Sequence, residues 1–207
     1  ALPIFTWETL VKAWPNVFNF ERYGKAEVKG KKLVYHQLTY LRRYAKRYPK
    51  RVLEIGGGRG EVANTLKFID VDVVSVEPGS GAVEWYQKTA KQYYGPALTP
   101  AIPLNKTITQ AVLDNDIDWS TFDTILMVES LEHIPKEQFD IVWEQIVKNF
   151  HGWFIVTNWI DYHPMWIGRH ASPEEHCRLV DDHLYDEWTA QSKGCLYRNG
   201  SHLVLEF

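Results

Sequence analysis

Arg51-Val-Leu-Glu-Ile-Gly-Gly-Gly-Arg-Gly60 is a stretch in which an apolar strand pattern runs directly into a glycine-rich turn. Glycines let the backbone turn sharply and come close to a ligand. The helical pattern that follows, from Glu61 to Lys67, would offer the N–H groups of its first turn to the same ligand. The stretch therefore predicts a strand, a loop that cradles a nucleotide, and a helix.

The spacing of the glycines narrows the choice of nucleotide. A dinucleotide fingerprint, G-x-G-x-x-G, would need a glycine at position 61, where Glu61 stands, so NAD and FAD fit poorly. A phosphate-binding loop is also disfavoured, because no Gly-Lys-Ser/Thr follows the glycines. The second predicted strand, 72–76, ends at Glu77, where a carboxylate can accept hydrogen bonds from ribose hydroxyls.

The rest of the chain alternates between strand and helix patterns, which indicates an α/β protein with a mostly parallel sheet covered on both faces. The predicted strands are 51–55, 72–76, one near 97–103, 122–128 and 153–158, with a final hairpin over 196–207 that turns at Asn199-Gly200. The predicted helices are 61–69, 80–94, 136–150 and 181–192.

Three motifs in this order resemble a known family. Glu54-x-Gly56-x-Gly58-x-Gly60, Glu77 and the run from Phe122 to Ile134 are similar to class I S-adenosylmethionine-dependent methyltransferases over roughly residues 50–160. The resemblance implies a Rossmann-like, doubly wound sheet of seven strands with a C-terminal antiparallel hairpin. Together with the chain length and the coarse pattern of elements, it predicts one methyltransferase domain over 1–207, in which an N-terminal helical cap, 1–48, precedes the catalytic core, 49–207.

The resemblance implies S-adenosyl-L-methionine as cofactor and assigns roles to matching residues. Glu54 would compensate positive charge near the methionine tail, and Glu77 would hold the ribose. The cofactor-binding set is Glu54, Gly56, Gly57, Gly58, Gly60, Glu77, Pro78 and Glu129. The sequence does not decide which residue contacts the adenine; the candidates are Asn105, Asp114 and Asp116.

Glu129-Ser-Leu-Glu-His133 follows the fourth strand, at the sheet edge where ligands of such folds bind. His133 is a candidate general base, with Glu132 beside it, although the pattern can also be purely architectural. Helical spacing would place Glu129, Glu132 and His133 on one face if a helical turn begins at Glu129. We predict no metal; the less favoured alternative is a divalent ion on these three residues and His176, as in the family that methylates the 3′-terminal ribose of small RNAs.

The segment after the fifth strand is rich in aromatic residues and predicts an acceptor pocket, formed by Trp159, Tyr162, His163 and Trp166. The favoured acceptor is a hydroxyl or amine of a small molecule. Two alternatives stay open: an RNA methyltransferase, and a non-catalytic module that binds nucleotide or RNA. Val128-Glu-Ser-Leu131 stands where methyltransferases of DNA base amines carry Asn/Asp-Pro-Pro-Tyr/Phe, so that activity is disfavoured.

Charge is distributed unevenly along the 207 residues. Residues 1–51 carry 12 Lys and Arg against 3 Asp and Glu, for a net charge of +9, whereas residues 52–207 carry −12. A predicted helix near 34–48 projects basic residues either as a solvated face or as an RNA phosphate contact, namely Arg42, Arg43, Lys46, Arg47 and Lys50. Two cysteines, no signal-peptide pattern and no long apolar run favour a cytoplasmic protein outside the membrane, and the sequence indicates no oligomeric state.

Overall fold

The structure of the protein is a computed structural model that describes residues 48–157, 180–199 and 202–207. Most of the predicted N-terminal cap, including the basic residues from Arg42 to Arg47, therefore lies outside the described residues. The described strands are β1 Arg51–Ile55, β2 Asp72–Val76, β3 Thr124–Val128, β4 Trp153–Thr157, β5 Gly194–Asn199 and β6 His202–Glu206. The described α-helices are α1 Glu61–Phe68, α2 Ala82–Tyr94, α3 Ile108–Leu113, α4 Lys136–Asn149 and α5 Asp182–Gln191.

The six described strands form one sheet in the order β2-β1-β3-β4-β6-β5. β1 pairs in parallel with β2 on one side and with β3 on the other, and β3 pairs in parallel with β4. β6 is antiparallel to β4, and β5 is antiparallel to β6, so the predicted C-terminal hairpin is confirmed. The chain changes direction across the sheet between β1 and β3, and such a switch point opens a crevice at the carboxyl ends of the strands.

Helices cover both faces of the sheet, as the alternating pattern predicts. Successive strand side chains point to opposite faces, so Leu53 and Ile55 pack on the face covered by α3, α4 and α5. Val52 packs on the other face, against Val62 and Leu66 of α1. Within the described part of the chain, no helix has the length and apolarity needed to cross a membrane.

The prediction of a seventh strand over 97–103 is wrong for the described sheet, because these residues form no strand. Only Leu104 reaches β2, through an isolated parallel bridge to Val76. Pro100 and Pro103 have no backbone N–H, so neither can donate the hydrogen bond that continues a strand ladder. The sequence reading also missed α3, a six-residue helix that Thr107 caps by accepting from the Gln110 N–H.

An aromatic cluster holds α4 and α5 to the sheet, and Trp143 lies at its centre. The Trp143 ring stacks on Trp188 of α5 at 4.4 Å between ring centroids. It also meets the rings of Phe154 and Phe207 edge-on, at 5.4 and 5.5 Å. Burial of large rings in this geometry contributes strongly to stability.

We expect Trp143→Ala to lower the free energy of unfolding by about 3–5 kcal/mol, because a buried indole leaves a large cavity. Val147→Ala is the matched control on the same helix, since Val147 is 37% exposed. Its effect should stay within about 0.5 kcal/mol. Urea denaturation of both variants measures the difference, and equal, small losses would contradict a central role for the cluster.

Candidate active site

Glu77 joins two loops at the carboxyl edge of the sheet. One carboxylate oxygen, Oε2, accepts from the Gly58 N–H at 2.8 Å, and Oε1 accepts from the Gly79 N–H at 2.8 Å. A carboxylate offers about four lone-pair sites, so each oxygen keeps a further site for another donor. The glycine loop after β1 is thus fixed to the loop after β2 through a half-buried acid.

The underside of the glycine loop lies directly on Tyr86 of α2, which is fully buried. A Cβ atom added at Gly57 would come within 1.9 Å of the Tyr86 hydroxyl oxygen, and one at Gly60 within 2.4 Å of its ring. No side chain fits at either position without moving the tyrosine. The loop after β3 closes the other side, where the Ser130 hydroxyl donates to the Ile55 carbonyl at 2.9 Å.

Glu54 is buried beneath the loop, with 2% of its surface exposed. The Ser75 hydroxyl donates to Glu54 Oε2 at 2.5 Å and lies 2.7 Å from the Tyr86 hydroxyl. Burial raises the pKa of Glu54 from 4.5 to about 7, Glu61 and Glu77 add repulsion, and the Ser75 hydrogen bond opposes both. Near neutral pH, Glu54 therefore populates both its protonated and its charged form, and a cation bound nearby would favour the charged form.

The adenine candidates occupy different surroundings. The Asn105 side-chain amide donates to the carbonyls of Glu77 and Gly79, at 2.9 and 2.7 Å, so it lies at the end of β2. Asp114 and Asp116 instead both accept from the Lys106 ammonium, at 2.7 and 2.5 Å. Pro78, beside Glu77, is exposed.

The candidate catalytic residues follow β3 and separate into buried and exposed positions. Glu129 has a left-handed backbone, with φ of 49°, and its N–H donates to the Thr157 carbonyl at 2.7 Å. The helical turn begins later, as a 3-10 turn at Leu131–His133, so Glu129 lies outside it. Glu132 is 4% exposed, whereas His133 is exposed to solvent.

Tyr185, at the start of α5, is a buried polar residue that the sequence reading missed. Burial raises its pKa, and the charge of Glu132 raises it further. Among the described residues, its hydroxyl has no hydrogen-bond partner. Helical periodicity marks Tyr185 only as a core position, since its relation to Glu132 depends on how α5 packs against the turn after β3.

The predicted acceptor pocket, Trp159, Tyr162, His163 and Trp166, lies outside the described residues, and so does His176 of the alternative metal site. Within 48–157, 180–199 and 202–207, no three His, Cys, Asp or Glu residues form a group that could hold a metal ion. Glu129, Glu132 and His133 therefore do not make a metal site by themselves.

A family model described as a methyltransferase domain matches residues 29–192. The chain belongs to this methyltransferase family. No curated protein matches its sequence. Its family and its structural neighbours indicate S-adenosyl-L-methionine as cofactor.

Three solved structures illustrate the shared fold. The PH0226 protein of Pyrococcus horikoshii has a TM-score of 0.58 at 14% identity, over 84% of this chain and 90% of that chain. The O-methyltransferase of a Brevibacillus brevis trans-AT polyketide synthase, in complex with S-adenosyl-L-homocysteine, has a TM-score of 0.55 at 17% identity, over 92% and 60%. The small RNA methyltransferase HEN1 has a TM-score of 0.54 at 11% identity, over 84% and 25%.

The raised pKa of Glu54 predicts a pH-dependent stability. The folded state holds the Glu54 proton up to about pH 7, whereas the unfolded chain releases it near pH 4.5. Stability present below pH 4.5 is therefore lost as the pH rises to about 7, by about 3 kcal/mol in total. Glu54→Gln should remove this loss. The difference in free energy of unfolding between the variant and the wild type should therefore increase over that pH range and then stay constant. If this difference in free energy of unfolding were constant from pH 4 to 8, the raised pKa of Glu54 would be contradicted.

Proposed function

We propose that this methyltransferase transfers the methyl group of S-adenosyl-L-methionine to a hydroxyl or amine of a small molecule. The observation that carries the proposal is the Glu77 carboxylate, which holds the glycine loop and the end of β2 together and keeps a lone-pair site on each oxygen. Vicinal hydroxyls of a ribose are matched donors for those sites. The close fit of Gly57 and Gly60 against Tyr86 leaves the loop backbone itself as the cofactor-facing surface.

The remaining cofactor contacts follow from charge. S-adenosyl-L-methionine supplies a methyl group on a positively charged sulfur, together with a cationic amino group. Glu54 lies beneath the loop and Glu129 at the end of β3, and both would balance positive charge when ionised. Pro78 is exposed next to Glu77, where its ring offers an apolar surface to the adenosine, and Asn105 supports the loop there.

His133 is the residue we assign to the acceptor proton. It is exposed at the sheet edge where the crevice opens, and imidazole accepts protons near neutral pH. Glu132 is buried one residue earlier and would position the turn that carries His133. Trp159, Tyr162, His163 and Trp166 would line the acceptor side of the pocket, with positioning supplying most of the rate enhancement.

An RNA acceptor is the second candidate, and two sequence features favour it. The net charge of +9 over residues 1–51 would attract a phosphate backbone. The spacing Glu129-x-x-Glu132-His133, with His176 further along, also provides donors for a divalent ion that could polarise a ribose hydroxyl. The −12 charge of residues 52–207 supports the small-molecule acceptor instead, because it would repel a polyanion.

Calorimetry with S-adenosyl-L-methionine and S-adenosyl-L-homocysteine tests the cofactor assignment. We expect Glu77→Ala to weaken binding by about 1.5–3 kcal/mol, because a charged acceptor for hydroxyl donors is lost. Glu84→Ala, an exposed acid on α2, is the matched control and should leave affinity unchanged. If the folded wild-type protein bound neither compound, the proposal would fail. Unchanged affinity in Glu77→Ala would show that the ribose lies elsewhere.

Methyl transfer assayed across small molecules and RNA tests the acceptor. For a small molecule, transfer should persist in a chelator and depend weakly on salt. An RNA acceptor would replace the small-molecule acceptor if RNA methylation fell steeply with salt. Neutralising four basic residues should then weaken that methylation, namely Arg42, Arg43, Lys46 and Arg47. Loss of transfer in a chelator, mimicked by Glu132→Ala, would establish the metal alternative. Tight cofactor binding with no transfer to any acceptor would favour the non-catalytic module.

A further inference from the structure

The glycine loop from Gly56 to Gly60 contains a single side chain, that of Arg59. Glycine has more backbone freedom than any other residue, so a loop with four glycines in five positions loses much entropy when it becomes ordered. Its own side chains can hold it in place only through Arg59. The contacts of Arg59 therefore affect how well the loop is prepared for a ligand.

Arg59 rests on an exposed tryptophan of α2. Its guanidinium carbon lies 5.0 Å from the centroid of the Trp85 ring, which is within the range of a cation–π interaction. Trp85 is 41% exposed, an unusual position for a large indole. A Cβ atom added at Gly81 would lie 3.2 Å from the indole edge, so the ring is supported from one side.

A recess in the protein surface borders Arg59. This recess, of about 200 Å³, opens between the start of α1 and α2, and Arg59, Trp85 and Lys88 are among the residues that line it. The arginine side chain thus lies at the edge of an open space rather than inside a packed core. The indole face contacts the guanidinium beside this recess, so removing the ring would take away one of the contacts that hold the only side chain of the loop.

Trp85 and Tyr86 are consecutive residues of α2, and they hold the loop from two directions. Tyr86 supports Gly57 and Gly60 from below, inside the protein. Trp85 holds Arg59 from the solvent side. Together with the bond from the Gly58 N–H to Glu77, these contacts fix every part of the turn that follows Gly56.

We infer that Trp85 is a positioning residue for cofactor binding: it holds Arg59 and thereby keeps the glycine loop in the conformation that receives S-adenosyl-L-methionine. The inference rests on the cofactor assignment of the proposed function. Trp85 acts before binding, since a loop that is already ordered loses less entropy when the ligand arrives. Removing the indole should therefore weaken affinity without removing any contact to the ligand.

Lys88 provides a matched control. Its ammonium lies 4.8 Å from the same Trp85 ring, but it belongs to the next turn of α2 and has no covalent link to the loop. Lys88→Ala removes a cation from the indole and leaves the Arg59 contact in place. An effect of general charge or of indole mobility would appear in this variant, whereas an effect transmitted through the loop would not.

The test is a double-mutant cycle on the dissociation constant of S-adenosyl-L-homocysteine, measured by calorimetry. We expect Trp85→Ala and Arg59→Ala each to weaken binding about three- to tenfold, the size of one cation–π contact. The double variant should be no weaker than the worse single variant, because both remove the same contact. Trp85→Phe should restore most of the affinity, and Lys88→Ala should stay within about twofold of wild type.

Hydrogen exchange of the cofactor-free protein measures directly how well ordered the loop is. Amides of 56–60 should exchange faster in Trp85→Ala, while those of β1 and β3 stay unchanged. Additive losses in the cycle, or a loop whose exchange does not change, would overturn the inference. If wild-type protein bound no S-adenosyl-L-homocysteine, the cofactor assignment would fail, and faster loop exchange in Trp85→Ala alone would still support the anchoring contact.

Discussion

The bidentate contact of Glu77 with two backbone N–H groups is the interaction on which the crevice depends. It joins the loop after β1 to the loop after β2, beside the hydrogen bonds that the Gly56 and Gly57 N–H groups donate to the Val76 carbonyl. Hydrogen bonds to a charged acceptor are stronger than neutral ones. Because one carboxylate contacts both loops, the position of a single side chain at the end of β2 contributes to the shape of both.

Three acids, Glu54, Glu61 and Glu77, gather around this loop, and the charges of Glu61 and Glu77 repel that of Glu54. Their environments differ, since Glu54 is buried and Glu77 is half-buried. The Ser75 hydroxyl, which Tyr86 holds in turn, offsets part of the cost of burying Glu54. The fold thus keeps an unfavourable concentration of negative charge at the place where a cationic ligand would relieve it, as expected for a site whose polar groups are arranged in advance.

Sequence periodicity predicted the main strands and the position of Glu77, because both depend on local pattern and on the order of elements. It failed where the outcome depends on distant packing. The support of the loop by Tyr86 and Trp85 requires α2 to lie beneath the loop that follows β1, which no local pattern specifies. The missing strand reflects Pro100 and Pro103, whose lack of N–H groups opposes an otherwise apolar strand pattern. Helical spacing would put Glu129, Glu132 and His133 on one face if a turn began at Glu129, but the helical turn begins after that residue.

The left-handed conformation of Glu129 explains why that turn begins late. A non-glycine residue with φ of 49° adopts a backbone that costs roughly 1–2 kcal/mol, so a neighbouring contact must hold it. The Glu129 N–H supplies that contact by donating to the Thr157 carbonyl, which ties the end of β3 to the end of β4. The chain then turns, so that Ser130 packs against the glycine loop and Leu131 enters the core. Strain of this kind persists only where surrounding contacts hold it, and here it lies between the end of β3 and the turn that carries His133.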